Sequence, residues 1–192
     1  MRNKENYWNI LDATSKLMVE KGYHGTSIRK ISEKVGIQSS TIFYYFKNKD
    51  DILNSILKEL NSVFVDELKE IVENNDINGT QKLKNLFSSY LGLIPEKKDA
   101  LKVFLNESKH LKGESRTLFK ENEHSYFNMI EQILKQIQEE KPQSFPEIDL
   151  RLFARVVYGI CNWSLMWYQE EGKYNNDEIV DYYMKILVGN KQ

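Results

Sequence analysis

The chain has 192 residues, 41% of them hydrophobic and 12% aromatic, with nine Gly and three Pro. This apolar content supplies a core and excludes wholesale disorder, and the scarcity of Gly and Pro argues against a turn-rich β-sandwich and for long helices. The net charge of −1 hides an asymmetry: residues 1–55 hold nine Lys/Arg against six Asp/Glu, and the remainder holds 18 against 22.

Tyr7, Ile10, Leu11, Thr14, Leu17 and Met18 recur at three- and four-residue spacing and mark the buried face of a first helix. Gly22 and Gly25 bracket its exit. Thr26 or Ser27 then offers an oxygen to cap a short second helix, whose Ile28, Ile31 and Val35 face inward. Gly36 ends that helix, and beyond the Gly36-Ile37-Gln38 turn Ser39 or Ser40 caps a third, reaching about Phe46. Asp50 and Asp51 favour the positive end of a fourth helix, which Ile52, Leu53, Ile56, Leu57, Leu60, Phe64, Leu68, Ile71 and Val72 carry to about Glu73.

The cluster Asn74–Gly79 turns the chain. A fifth helix, Leu83 to Leu91, is predicted to stop near Pro95, and a sixth, from Leu101 to Ser108, at Gly113. A seventh runs from Leu118 to Ile137, and Lys141–Pro146 reads as a rigid connector. Ile148 to Tyr168 is apolar nearly all round, so it must be covered on every side. Gly172 breaks it, and a ninth helix follows over Ile179–Val188. The expectation is an all-α fold of nine helices without strands, repeats or low-complexity tracts. A helix-turn-helix domain is expected over 1–50 (motif about 28–47), and a helical ligand-binding and dimerisation domain over 51–192.

Enzymatic chemistry finds no foothold in the sequence. His24, His110 and His124 are scattered without zinc-ligand spacing, and neither a nucleophile motif nor a phosphate-binding glycine loop occurs. The pairs Glu139-Glu140 and Glu170-Glu171 read as solvated helix surface. The single cysteine, Cys161, lies in an apolar run and reads as a small buried hydrophobe. Neither a metal nor a cofactor is expected. The N-terminus lacks the apolar core of a leader, and no run of about 18 apolar residues suits a membrane, so a cytoplasmic protein is expected.

Function is concentrated in the second and third helices. Their joining turn, opened by Gly36, is the helix-turn-helix arrangement, in which the second helix of the pair enters the major groove. Ile31, Val35, Ile42 and Phe46 lock the pair together. The polar start Gln38-Ser39-Ser40-Thr41 suits base edges, and Tyr44, Tyr45, Lys47 and Lys49 suit phosphates. Thr26, Ser27 and Arg29, at the start of the second helix, complete the candidate DNA-binding set. The basic N-terminal segment matches this reading. From pattern alone, a helical hairpin inside a larger bundle accounts for the segment equally well.

The runs Ile10–Ala13, Lys21–Ile31, Val35–Ile37 and Thr41–Leu53 keep an ungapped spacing that resembles the DNA-binding domain of the TetR family. The resemblance implies an all-α homodimer, a double-stranded operator of two half-sites, and a C-terminal core whose effector releases DNA. It places Thr41, Tyr45 and Lys49 at DNA contacts and Thr26 near a phosphate. Two residues depart from the pattern. Phe43 stands where the family often has Tyr, and Gln38 where a capping Ser or Thr is usual, which would pass the cap to Ser39.

The resemblance also implies pairing through the last two helices, with Phe153, Val157, Ile160, Trp167, Ile179, Tyr183, Ile186 and Leu187 at the interface; closure of the monomer's own core is the other reading. An effector pocket would draw on Phe64, Leu68, Phe87, Tyr90, Phe104, Tyr126, Phe127, Ile130 and Trp163, each of which also suits ordinary core packing. Gly159–Tyr168 with Gly172 and Asp177-Glu178-Ile179 is similar to regulators that sense acyl-coenzyme A thioesters. An apolar or amphipathic effector is therefore expected, its phosphates met by Arg151, Arg155, Lys109 or Lys112. The alternative is a DNA binder of the same fold whose output is a protein partner.

Overall fold

The computed structural model describes residues 2–144 and 148–189. Eight α-helices follow in order: α1 (Arg2–Gly25), α2 (Ile28–Val35), α3 (Ser39–Tyr45), α4 (Lys49–Glu73), α5 (Gly79–Glu107), α6 (Gly113–Glu140), α7 (Leu150–Trp167) and α8 (Asn176–Leu187). A 3₁₀ turn, Ser108–His110, lies between α5 and α6. Residues 145–147, part of the expected connector, lie outside the described residues.

Eight helices stand where nine were expected, because α5 runs through Pro95. A proline inside a helix forfeits one hydrogen bond and crowds the carbonyl four residues back, at a cost of about 3 kcal/mol. Leu91 and Ile94 before it and Leu101 and Val103 after it are all buried to within 1%. Each contributes about 1.5–3 kcal/mol by leaving water, which outweighs the proline. Gly113 is likewise no terminator: at φ 52° it opens α6.

The chain divides into two compact units, Met1–Ser62 with Lys97–Glu121, and Val63–Glu96 with Asn122–Gln192. The first is larger than the segment 1–50, taking in the start of α4, the end of α5 and the start of α6. Its core gathers Ile10, Leu11, Leu17, Met18 and Tyr23 of α1, Ile31, Ile42 and Phe46 of the helix-turn-helix, Ile52, Leu53, Ile56 and Leu57 of α4, and Val103 and Leu111. Tyr7 stacks on Phe46 at 5.2 Å.

In the second unit, α5 buries Leu83, Leu86, Phe87 and Tyr90, and α6 buries Ile130, Ile133, Leu134 and Ile137. The first turn of α5 presses against the last turn of α6 at Gly79, where a Cβ would stand 2.8 Å from Ile137; the Gly79 N–H donates to the Glu140 carboxylate at 3.0 Å. Asn175 begins α8 with a reciprocal capping box to Glu178. Ties between elements include Lys84–Asp181 at 2.7 Å, Tyr90 Oη to Asn162 at 3.1 Å, and the Ser164 and Tyr183 hydroxyls at 2.8 Å. Cys161 is buried as expected, and burial drives its thiol pKa well upward, so no thiolate forms near neutrality.

Helix α7 is covered on one side only. Phe153, Ala154, Val157, Cys161, Ser164 and Leu165 are buried, whereas Leu152, Val156, Trp163, Met166 and Trp167 are exposed. Tyr182 and Ile186 of α8 are exposed as well.

Candidate nucleic-acid interface

The local chemistry of α2 and α3 fixes their mutual geometry. Ser27 caps α2 by accepting the Lys30 N–H, and Gly36 closes it in a left-handed conformation, φ 76°. The N–H groups of Gly36 and Ile37 both reach the Ser32 carbonyl, at 2.9 and 3.1 Å, the 5→1 and 6→1 bonds that close a helix on a left-handed glycine. Ser32 donates its hydroxyl to the Arg29 carbonyl at 2.8 Å, so its oxygen accepts from the Ser39 hydroxyl, 2.9 Å away. This bond ties α2 to α3 beneath the turn.

Helix α3 starts at Ser39 with Gln38 in the capping position and no side-chain cap, so neither Ser39 nor Ser40 caps it and the start is not displaced by one residue. Ser39 serves the tie to Ser32 instead. Ile42 is fully buried and aims the opposite face outward. Gln38, Ser40 and Tyr44 are exposed, Thr41 and Tyr45 half-buried, and the Ser40 hydroxyl lies 3.4 Å from Gln38 Oε1. Phe43 is also exposed. Lys47 extends this edge: its backbone N–H is held by the Asp51 carboxylate at 3.0 Å, while its side chain remains in solvent. A polar edge with an aromatic and a cation at its end can meet base edges and phosphates together.

Two members of the expected DNA-binding set, Thr26 and Lys49, turn inward. Thr26 is 2% exposed and donates its hydroxyl to the Gly22 carbonyl at 3.0 Å. Lys49 donates to the carbonyls of Tyr23 at 2.7 Å and Thr26 at 2.9 Å, with its ammonium 4.0 Å from the Tyr23 ring centre. Burial lowers its pKa, with Asp50 opposing. Arg29 is exposed and paired with Glu33 at 2.8 Å.

Sequence reasoning missed the hub around Tyr23. Its hydroxyl donates to Asp50, and burial first, then this carboxylate, pushes its pKa up to about 12. His110 stacks on the Tyr23 ring at 4.4 Å and places Nε2 3.2 Å from Glu107. These partners are up to 87 residues apart in sequence, beyond any local periodicity.

The expected effector residues divide. Phe64, Leu68, Tyr90 and Tyr126 line one space with Glu67, Ile71, Leu86 and Ser89, closed down to about 10 Å³, no more than one water. Ile130 and Phe87 are core. Phe127 faces a different groove, Phe104 packs on the core of the first unit against Phe119, and Trp163 is 68% exposed. Of the expected interface residues, Phe153, Val157 and Ile179 are buried within this chain, Ile160, Tyr183 and Leu187 are half-buried, and Trp167 and Ile186 are exposed.

Residues 10–56 match the family described as bacterial regulatory proteins, tetR family, and residues 76–190 match the tetracyclin repressor-like C-terminal domain. The chain belongs to the TetR family. This TetR-family regulator is 26% identical over 189 residues to the fatty acid metabolism regulator protein of Bacillus subtilis, covering 97% of this chain and 96% of that one. The crystal structure of Bacillus subtilis FadR in complex with stearoyl-CoA superposes with a TM-score of 0.71 at 26% identity, over 97% of this chain and all of that one. AibR in complex with isovaleryl coenzyme A and operator DNA shares the fold, with a TM-score of 0.81 at 20% identity over 95% and 98% of the two chains. As a TetR-family member, the protein is a DNA-binding transcriptional regulator.

Proposed function

We propose that this regulator binds a two-half-site operator as a homodimer and leaves it when an acyl-coenzyme A, or an amphipathic molecule like it, enters the second unit. The observation that carries the DNA reading is the polar edge Gln38, Ser40, Thr41, Tyr44 and Lys47, presented by a helix whose other side is locked by Ile42 and by the Ser32–Ser39 bond. One such edge makes few base contacts, each discriminating by about 1–3 kcal/mol, so a second copy is needed for specific binding. The exposed stripe Leu152, Val156, Trp163, Met166 and Trp167, beside Tyr182 and Ile186, supports pairing through α7 and α8. The interface is thereby shifted round the helix from Phe153 and Val157 to their outward neighbours.

The effector reading is supported by the likeness to a fatty acid metabolism regulator and to a FadR structure holding stearoyl-CoA. No helix among the described residues is long and apolar enough to cross a membrane. Fluorescence anisotropy of labelled DNA from the protein's own promoter region tests the reading. Addition of palmitoyl-CoA lowers the anisotropy to that of free DNA; an unchanged signal at saturating thioester contradicts the effector assignment.

A further inference from the structure

Helices α6 and α7 flank an open groove of about 600 Å³ lined by His124, Phe127, Asn128, Glu131, Gln132, Lys135, Arg151, Ala154 and Arg155. The volume falls within the usual range for small-molecule sites. The spacing explains its composition: 124, 127, 128, 131 and 135 share one face of α6, and 151, 154 and 155 share one face of α7. The unit that carries the groove holds ten Lys/Arg against 17 Asp/Glu, yet three of those ten cations converge here beside a single carboxylate. That carboxylate, Glu131, lies 3.8 Å from Arg151, and Lys135 lies 3.8 Å from Glu139. Both pairs are loose and partly exposed, so they hold the cations weakly against a stronger anion.

Phe127 lines the groove, and further rings pack behind it. The Arg155 guanidinium lies over the Phe127 ring, 4.7 Å from its centre, within cation–π range, and the residue is exposed. From Phe127, ring contacts continue to Tyr158 at 5.1 Å, to Tyr126 at 6.0 Å, to Phe64 at 6.1 Å and to Tyr90 at 5.7 Å. The cations of the groove thus lie beside Phe127, the outermost of a run of packed rings that ends at Phe64 and Tyr90. A phosphate-bearing head fits the cations, and an apolar group next to it fits the Phe127 ring.

We propose that the α6–α7 groove seats the phosphate-bearing head of a coenzyme A thioester, with Arg151, Arg155 and Lys135 on its phosphate oxygens and the start of its acyl chain against the Phe127 ring. The assignment rests on the thioester-effector reading and adds its head-group site. Arg151 and Arg155 supply forked donors suited to phosphate, and Lys135 a point charge. Lys109 and Lys112, the other cations expected from the sequence, do not line this groove.

Calorimetric titration of the intact protein with palmitoyl-CoA, palmitate and free coenzyme A tests the site. Wild type binds palmitoyl-CoA with an affinity that falls as salt rises. The Arg151→Ala/Arg155→Ala variant loses at least about tenfold, as expected when two charge-assisted contacts go, while its affinity for palmitate is unchanged. Lys135→Ala, at a side chain 67% exposed and therefore harmless to folding, loses several-fold, and Lys173→Ala, outside the groove, loses nothing.

Equal thioester affinity in all these proteins overturns the groove and leaves the effector reading standing. So does equal weakening by Lys173→Ala, which would mark a general charge effect. Binding of palmitate without palmitoyl-CoA overturns the head-group site. Binding of none of the three probes by folded wild type overturns the effector reading itself.

Discussion

The ammonium of Lys49 donates to the carbonyl of Tyr23 at 2.7 Å and lies 4.0 Å from the centre of the same residue's ring. A cation in the first turn of a helix opposes the helix dipole, so its presence there needs a local reason. The carbonyls of Tyr23 and Thr26, beyond the Gly22 kink at the exit of α1, supply it. Lys49 joins the end of α1 to the start of α4 and so sets the frame in which α2 and α3 are held.

Replacing Lys49 by Ala is expected to destabilise the protein by about 2–4 kcal/mol, since two buried carbonyls lose a charged donor. The melting temperature falls by several degrees, at about 2–4 °C per kcal/mol for a chain of this size. A thermal melt checks this. Weakened DNA binding with an unchanged melt would assign Lys49 to phosphate alone.

His110 gives the first unit a pH dependence. Burial lowers its pKa below the ordinary 6.5, reinforced by His24, Lys109 and Lys49 and opposed by Glu107. Below the ordinary value the unfolded chain binds a proton that the folded one resists, so stability present at pH 7.5 is lost as pH falls through 6.5 and on through the folded pKa. His110→Phe keeps the stack on Tyr23 and removes the titration. Melting temperatures from pH 7.5 to 5.5 should fall more steeply in wild type than in the variant; parallel curves would refute the linkage.

The exposed stripe of α7 and α8 separates two kinds of substitution. Trp163→Glu or Ile186→Asp, at positions 68% and 66% exposed, should convert a particle of about twice 22.7 kDa to one of 22.7 kDa with helicity intact. Val157→Asp, at a position with no exposure, should unfold the chain. Sedimentation and circular dichroism distinguish the cases, and a wild-type monomer at micromolar concentration would contradict the pairing.

Helical periodicity made the helices and their buried faces legible: Ile31, Ile42 and Phe46 are in the core where the spacing put them. It misread Pro95, because a local rule carries no information about the burial of Leu91 and Leu101 on either side. The motif and the family resemblance pointed to the outward edge of α3 but took Lys49 and Thr26 as DNA-facing too, since only tertiary contact reveals that the end of α1 offers them partners. The Ser32–Ser39 bond was invisible for the same reason. On α7 the apolar pattern was symmetrical, so nothing local told buried Val157 from its exposed neighbour Val156. The cationic groove was half visible: Arg151 and Arg155 were singled out, but Lys135 joins them only when α6 and α7 pack.

Selection of DNA from a random library by the intact protein tests the central claim, that α3 reads a symmetric operator, most directly. The account predicts enrichment of an inverted repeat with half-sites about 34–36 Å apart or a multiple of that, and changed base preferences when Thr41 is replaced by Ala. No enrichment, or the same enriched sequence from the Thr41→Ala protein and one that also carries Tyr44→Ala and Lys47→Ala, would contradict it.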